Sequence, residues 1–467
     1  MHITLKGAKN RVVMAAFGTM LLLIGSAVAA TALRPHHAPR LYMEGIAENP
    51  CAPAQVFAIP AGAKGSYYPD TGVLHTSGGI YVAPDNIRPV TRTETSCLRT
   101  VVRTEQNWLR SGFVPGTDQQ QRTMAIRALL DLYLSVRPDG AVIAGWNPGW
   151  EYAWPRDSSW VATALADTGH PAEAFKILTF FQRVQPGNGI WAARYLPGSG
   201  EPVRDGRPDE LDADGWMPWA VWSWAAAARE AGDRNEHREL VRLWPMVAAA
   251  ADAAVRSLAG DGLPVPAMDY WEDSVQVTLG TAAPLLAGLR AAADIAIQLG
   301  KGTQARSWAG AATRLSAGIS AGFSEYGFPR APFSRSAVDA SVVFLGPPFA
   351  NPDAGVLRAA TAAQQLLREP NGGLRPGTSW PGAPGVAWTA ETAFFALFDA
   401  TTGQRPLSAG LLAWLAAHHT GLGELPEQIN ATGRSVSVAP LAWTDAVVLL
   451  ALVAQTRQLA PIPVPGS

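Results

Sequence analysis

From residue 117 to residue 458 the chain keeps one rhythm: helix-length segments rich in Ala and Leu alternate with loops that set charge beside Trp, Gly and Pro. Caps and apolar spacing predict twelve helices, at 118–136, 157–167, 171–184, 214–230, 236–258, 278–299, 302–321, 338–345, 353–367, 389–401, 405–418 and 440–458. Twelve amphipathic helices make six antiparallel hairpins. A hairpin cannot bury its apolar face alone, so the set must close into a ring or stack into a solenoid. A solenoid would carry a sequence repeat, and none is visible. The expected fold is all-α, a six-hairpin (α/α)6 barrel.

The flanks read differently. Lys6, Lys9 and Arg11 precede an apolar run at 12–33, and Ala27, Val28 and Ala29 have the small side chains of a cleavage site. Residues 1–40 are therefore a signal peptide or an uncleaved membrane anchor, and both readings stay open. Either places the rest of the chain outside the cytoplasm, secreted or anchored. Residues 41–116 are broken by Gly and Pro, with β-like pieces such as GVLHTSGGIYVAP, and are expected to form a short irregular or β extension against the barrel. The only cysteines, Cys51 and Cys97, fall in this exported part, where a disulfide can persist. Residues 459–467, rich in Pro, are expected to fray.

Thirty-seven Lys and Arg balance 38 Asp and Glu, a net charge of −1, so there is no electrostatic footprint for nucleic acid or an anionic membrane. A neutral partner fits better. Seventeen Trp supply flat faces suited to the C–H faces of sugars, although core packing would claim many of them. No H-E-x-x-H pair, phosphate-binding loop, dinucleotide fingerprint or nucleophile elbow occurs, and neither a metal nor a cofactor is expected.

The loops hold the candidates for chemistry. Hydrolysis of a glycosidic bond needs a carboxylic acid to protonate the departing oxygen and a carboxylate on the other face to activate water or attack the sugar. Glu272 sits in DYWEDS, where Tyr270 and Trp271 could desolvate it and Asp269 and Asp273 would disfavour its ionised form. Glu424 and Glu427 share GELPEQIN, and position alone does not choose between them as base. In WPRDSSW, Arg156 and Asp157 form a donor and acceptor pair suited to vicinal hydroxyls between the walls Trp154 and Trp160, with Asp157 equally able to cap a helix.

Taken in order, these loops resemble the glucoamylase-like hydrolases of glycoside hydrolase family 15, over roughly residues 118–452. YAWPRD looks like the family's sugar-gripping signature, which implies Arg156 and Asp157 as substrate contacts beside Trp154. LDADGW implies Asp214 and an aromatic wall at Trp216. YWEDSVQVT implies Glu272 as general acid, with Trp271 and Asp273 against the sugar. GGLRPGTSWPG resembles the loop that supplies a sugar-binding arginine, here Arg375, and LPEQ followed by PLAW favours Glu427 over Glu424 as general base. The resemblance further implies an exo-acting, inverting hydrolase that takes glucose from the non-reducing ends of α-linked oligosaccharides, with its carboxyl groups ~6.5 to 9.5 Å apart. Trehalase or α-1,6 specificity on the same barrel is an alternative, as is a surface carbohydrate-binding protein without turnover. The chain departs from many relatives in having only the short segment 41–116 where they carry a β-sandwich, which bears on the aglycone side.

Overall fold

The computed structural model describes residues 40–83, 86–88, 92–335, 337–459 and 461–464; the apolar run at 12–33, with its two readings, lies outside them. Twelve α-helices are present among these residues: α1 (Arg92–Ser111), α2 (Gln119–Ser135), α3 (Pro155–Asp167), α4 (Pro171–Val184), α5 (Ala213–Glu230), α6 (Glu236–Arg256), α7 (Leu279–Gln298), α8 (Gly302–Phe323), α9 (Ala354–Leu366), α10 (Thr389–Thr401), α11 (Arg405–Ala417) and α12 (Ala442–Thr456). A 3-10 helix, Ala340–Leu345, stands where the spacing predicts the α-helix 338–345. Asp339 caps it by accepting from the Ser341 N–H, and its Phe344 packs in the barrel axis against Trp216.

The ring closes. The inner wall runs α3, α5, α7, the 3-10 helix, α10 and α12, each packed on the next and α12 packed back on α3. Helices α2, α4, α6, α8, α9 and α11 stand outside it. The fold is thus the (α/α)6 barrel that the helix rhythm requires. Burial separates the layers as amphipathicity demands. Every residue of α12 from Ala442 to Gln455 is buried, whereas α11 buries a single stripe, Ser408, Leu411, Leu412, Leu415 and Ala416. Helix α7 is long and apolar enough to cross a membrane, but 83% of its most apolar window is buried, as befits an inner helix. It crosses α5 at a glycine contact: a Cβ on Gly215 would lie 2.2 Å from the Pro284 backbone. The axis is filled by Trp160, Trp216, Trp219, Phe344, Phe349 and Phe394, whose ring centroids lie 5.0 to 6.1 Å apart where they touch.

The segment before the barrel holds more order than its sequence suggests. Strands β1 (Met43–Asn49) and β2 (Ala52–Pro60) form a hairpin, and β3 (Ser66–Tyr67), β4 (Leu74–Thr76), β5 (Gly79–Ala83) and β6 (Asn86–Arg88) form a sheet in that order. The twenty-residue α1 was not expected there. Its sequence, RTETSCLRTVVRTEQNWLRS, is polar overall, with only a few apolar side chains such as Val101, Trp108 and Leu109 buried, so it lacks the Ala- and Leu-rich composition that marks the barrel helices. A disulfide joins Cys51 to Cys97 with the Cα atoms 5.0 Å apart, clipping the β1–β2 turn to α1. On the barrel side, Arg127 pairs with Asp131 at 2.8 Å and lies 4.1 Å over the Tyr67 ring, so a buried polar knot fixes the sheet to α2. The expected frayed tail is tied down at Ile462, which is fully buried and donates its N–H to the Pro348 carbonyl.

Candidate active site

At the end of the barrel where the inner helices begin, a cavity of about 100 Å³ opens to solvent. Six of the seventeen tryptophans line it: Trp150, Trp154, Trp271, Trp380, Trp388 and Trp443. Its polar groups are Arg156, Asp157, Glu272, Glu391 and Glu427. Its floor rests on the axial cluster, since Tyr270 meets Phe344 and Trp443 meets Phe394 edge or tilted at 6.2 and 5.1 Å. The cavity is therefore a pocket with a closed base and an apolar wall, the usual form of a small-ligand site.

Glu272 is carried by a tight turn in which its N–H donates to the Asp269 carbonyl at 2.9 Å. Its φ of 53° lies in the left-handed region, an uncommon conformation for a residue with a long side chain and one that surrounding contacts must enforce. Those contacts centre on Arg330. Its guanidinium pairs with Asp269 at 2.8 Å, with Asp339 at 3.1 Å and with Asp273 at 3.3 Å, and lies 3.6 Å over the Trp271 ring. So the turn is clamped from behind, and Glu272 projects into the cavity with its side chain 24% exposed. One carboxylate oxygen accepts from the Trp154 indole at 3.1 Å and faces Arg156 at 3.4 Å; the other is paired with Arg207.

Glu427 is held differently. It accepts from the Trp150 indole at 3.3 Å, from the Gln428 amide at 3.3 Å and from the Ser437 hydroxyl. Ser437 also has a positive φ, 68°, and is pinned there by the start of the extension: its N–H donates to the Arg40 carbonyl at 2.7 Å and its carbonyl accepts from Tyr42 at 2.8 Å. Behind Glu427, β8 (Gln428–Ile429) lies between β7 (Ala387–Trp388) and β9 (Ser435–Val436). Burial raises the Glu427 pKa above the ordinary carboxylate value, and the three hydrogen bonds pull against that rise. A carboxylate whose pKa is raised is a better proton acceptor than a solvated one.

Arg156 and Asp157 lie in the first turn of α3 and are both buried. Pro155 opens that helix and Trp154 takes the cap position, so Asp157 is not the N-cap but a side chain inside the turn. Arg156 is ion-paired with Glu210, meets Asp212 at 3.2 Å and lies 5.1 Å from the Trp443 ring centroid. Burial would lower its pKa, and the surrounding carboxylates more than offset this. Asp157 is pushed up to about 6, chiefly by burial, with Arg156 opposing and Asp212 and Glu427 adding.

Five residues expected at the sugar lie elsewhere. Asp214 is buried in the first turn of α5 and Trp216 belongs to the axial aromatic cluster, because α5 begins at Ala213 and turns both side chains inward; Trp160 of α3, expected as a wall, packs in the same cluster. It is Glu210 and Asp212 of the same loop, unmarked by the sequence reading, that reach Arg156. Asp273 is not among the lining residues and faces Arg330 instead. Arg375 lies 3.5 Å from Glu369, while its loop contributes Pro376 and Trp380 to the wall. Glu424 is buried outside the cavity, against Tyr67 and Arg127. Glu391, Trp150, Trp388 and Trp443 line the cavity without having been singled out. For Glu391 the available signal was an isolated acid, TAETAFF, at the start of an otherwise apolar helix.

No family model matches the chain. An uncharacterized glycosyl hydrolase of Methanocaldococcus jannaschii is 23% identical over 361 residues, which cover 72% of this chain and 56% of that relative. The chain thus spans little more than half the length of the curated relative it matches. Among solved structures, a wild-type glycosidase superposes with a TM-score of 0.63 at 20% identity, covering 74% of this chain and all of that one. A bacterial glucoamylase complexed with acarbose gives 0.61 at 17% identity, covering 80% and 63%. The Hormoconis resinae glucoamylase gives 0.57 at 14% identity, covering 73% and 74%. The chain accordingly has the (α/α)6 barrel fold of the glucoamylase-like glycosidases.

Proposed function

We propose that the protein is a glycoside hydrolase acting from chain ends on neutral α-linked gluco-oligosaccharides, with inversion, in which Glu272 protonates the departing oxygen and Glu427 directs water at the anomeric carbon. The observation that carries this reading is the meeting of two carboxyl groups, from loops 155 residues apart in sequence, on one tryptophan-walled pocket. Glu427, buried and hydrogen-bonded, has the environment of a base, and Glu272, nearer the solvent side, that of a group able to reach a departing oxygen. A closed floor favours attack on the terminal sugar over attack within a chain. Arg156 and Asp157 offer a donor and an acceptor to adjacent hydroxyls, and the indole faces cover the apolar side of the ring. On this reading Arg207, which now pairs with Glu272, swings away as the sugar arrives. The similarity to a glucoamylase bound to acarbose supports α-glucosides as the first substrates to try. The Cys51–Cys97 disulfide supports a site of action outside the cytoplasm.

The test is glucose release from maltose, isomaltose, trehalose and longer dextrins. Turnover of at least one, abolished in Glu427→Gln, is the expected result. A folded protein that releases glucose from none of them contradicts the proposal.

A further inference from the structure

Glu391 has no part in the two-carboxylate scheme, yet it is the third acid of the pocket. It sits in the first turn of the inner helix α10, is 4% exposed, and its Oε2 atom is buried with no hydrogen-bond partner. A buried carboxyl oxygen without a partner destabilises the free protein, so a residue of this kind is retained in a pocket for what it meets when the pocket is filled. Its position relative to the base is fixed. Thr389, two residues earlier, donates its N–H and its hydroxyl to the Glu427 carbonyl at 3.1 Å each and shares a 2.8 Å hydrogen bond with Thr444 of α12. The first turn of α10 that carries Glu391 is thereby tied to the Glu427 loop.

We propose that Glu391 is a sugar-binding and specificity-determining residue of this pocket, its unpartnered Oε2 meeting one hydroxyl of the hexose bound beside Glu427. This rests on the reading of the pocket as a site for neutral sugars. Four groups from four elements bear on the Glu391 carboxyl: Glu427 from the loop before α12, Asp339 at the 3-10 cap, Tyr270 of the acid turn and Arg156 of α3. Burial first, then Glu427 and Asp339, push it up to about 8, against its own N–H and Arg156. Near neutral pH it keeps its proton, presents both a donor and an acceptor to a hydroxyl, and adds no second negative charge beside the base. A neutral hydroxyl is matched by such a group; an anionic sugar substituent would add charge to a pocket already holding Asp157, Glu272 and Glu427.

The experiment is a titration of the pocket tryptophans' fluorescence with D-glucose and with the four monodeoxy-D-glucoses, at pH 6, for the wild type, Glu391→Gln, Glu391→Leu and Glu391→Ala. Glu391→Leu is expected to bind glucose about tenfold more weakly, as for loss of one good hydrogen bond, while melting no lower than the wild type because an unpartnered buried acid has gone. Glu391→Gln, which keeps a donor and an acceptor, stays within about threefold. One monodeoxyglucose binds the wild type about tenfold more weakly than glucose does, and that difference disappears in Glu391→Leu and Glu391→Ala. A purely structural role would lower the melting temperature and leave the deoxy-sugar pattern unchanged. If the wild type binds glucose and both apolar variants bind it equally well, the role of Glu391 is overturned while the pocket's function stands. If the wild type binds no hexose and releases none from any α-glucoside, both readings fall together.

Discussion

The two walls of the pocket hold their carboxylates by opposite means. Glu272 rides on a turn five residues long, clamped by Arg330, with Trp154, Arg156 and Arg207 at its carboxylate. Glu427 is held by a contact map that spans the chain: Trp150 from the loop before α3, Ser437 before α12, and Arg40 and Tyr42 from the start of the extension. Tyr42 also packs on Trp150 with ring centroids 5.9 Å apart, so the extension braces two of the base's three partners. The side of Glu272 is partly open to solvent, and the side of Glu427 is buried. Under the proposed inverting mechanism the acid must exchange a proton and release a product, whereas the base must hold one water in place, and the contrast in mounting would suit those demands.

The difference can be broken from either side. Removing a carboxyl should cost about 10² to 10⁴ in kcat on maltose for both Glu272→Gln and Glu427→Gln. The two part company on α-glucosyl fluoride: fluoride departs without a proton, so Glu272→Gln recovers most of its rate there and Glu427→Gln does not. Equal recovery would mean that the roles are misassigned. Next, Arg330→Met leaves Asp269 and Asp339 buried without their cation, and urea denaturation should show a loss of about 3 to 5 kcal/mol. An unchanged midpoint would show that the clamp is dispensable.

Ser437→Ala is gentler and reports on the base alone. It removes one of the hydrogen bonds that hold the Glu427 pKa down, so the pKa rises further and the acid limb of the kcat/KM profile moves to higher pH by about one unit. A shift to lower pH would contradict the assignment. The smallest effect belongs to Arg207, whose side chain is 39% exposed. Arg207→Ala should change stability by no more than about 0.5 kcal/mol and should not lower kcat/KM on maltose; a tenfold fall would place Arg207 in the working site.

The same contrast explains what was legible in the sequence. The helix rhythm and the closed ring follow from apolar spacing, which is local, and so does the loop around Glu272. Asp214 and Trp216 were misplaced because the register of a helix start decides which side chains turn inward, and α5 starts one residue earlier than its cap pattern suggested. Asp273 and Arg375 bear the charge a sugar contact needs, but Asp273 meets Arg330 from a distant segment and Arg375 meets Glu369, six residues earlier and outside the short motif. Glu391 was passed over because an acid in a first helical turn has an ordinary explanation in the helix dipole. Only the ring closure that brings α10 against the Glu427 loop reveals it as a pocket residue. The partners of Glu427 were the least legible, since they join positions 40, 150 and 437.

The central claim is that Glu272 and Glu427 act from opposite faces of one sugar, with water delivered by Glu427. The most direct measurement is the proton NMR spectrum of the first product formed from whichever α-glucoside the protein cleaves, recorded before mutarotation. The account predicts β-glucose at the earliest times, relaxing later to the equilibrium mixture. Initial α-glucose would mean that the configuration is retained and would contradict it.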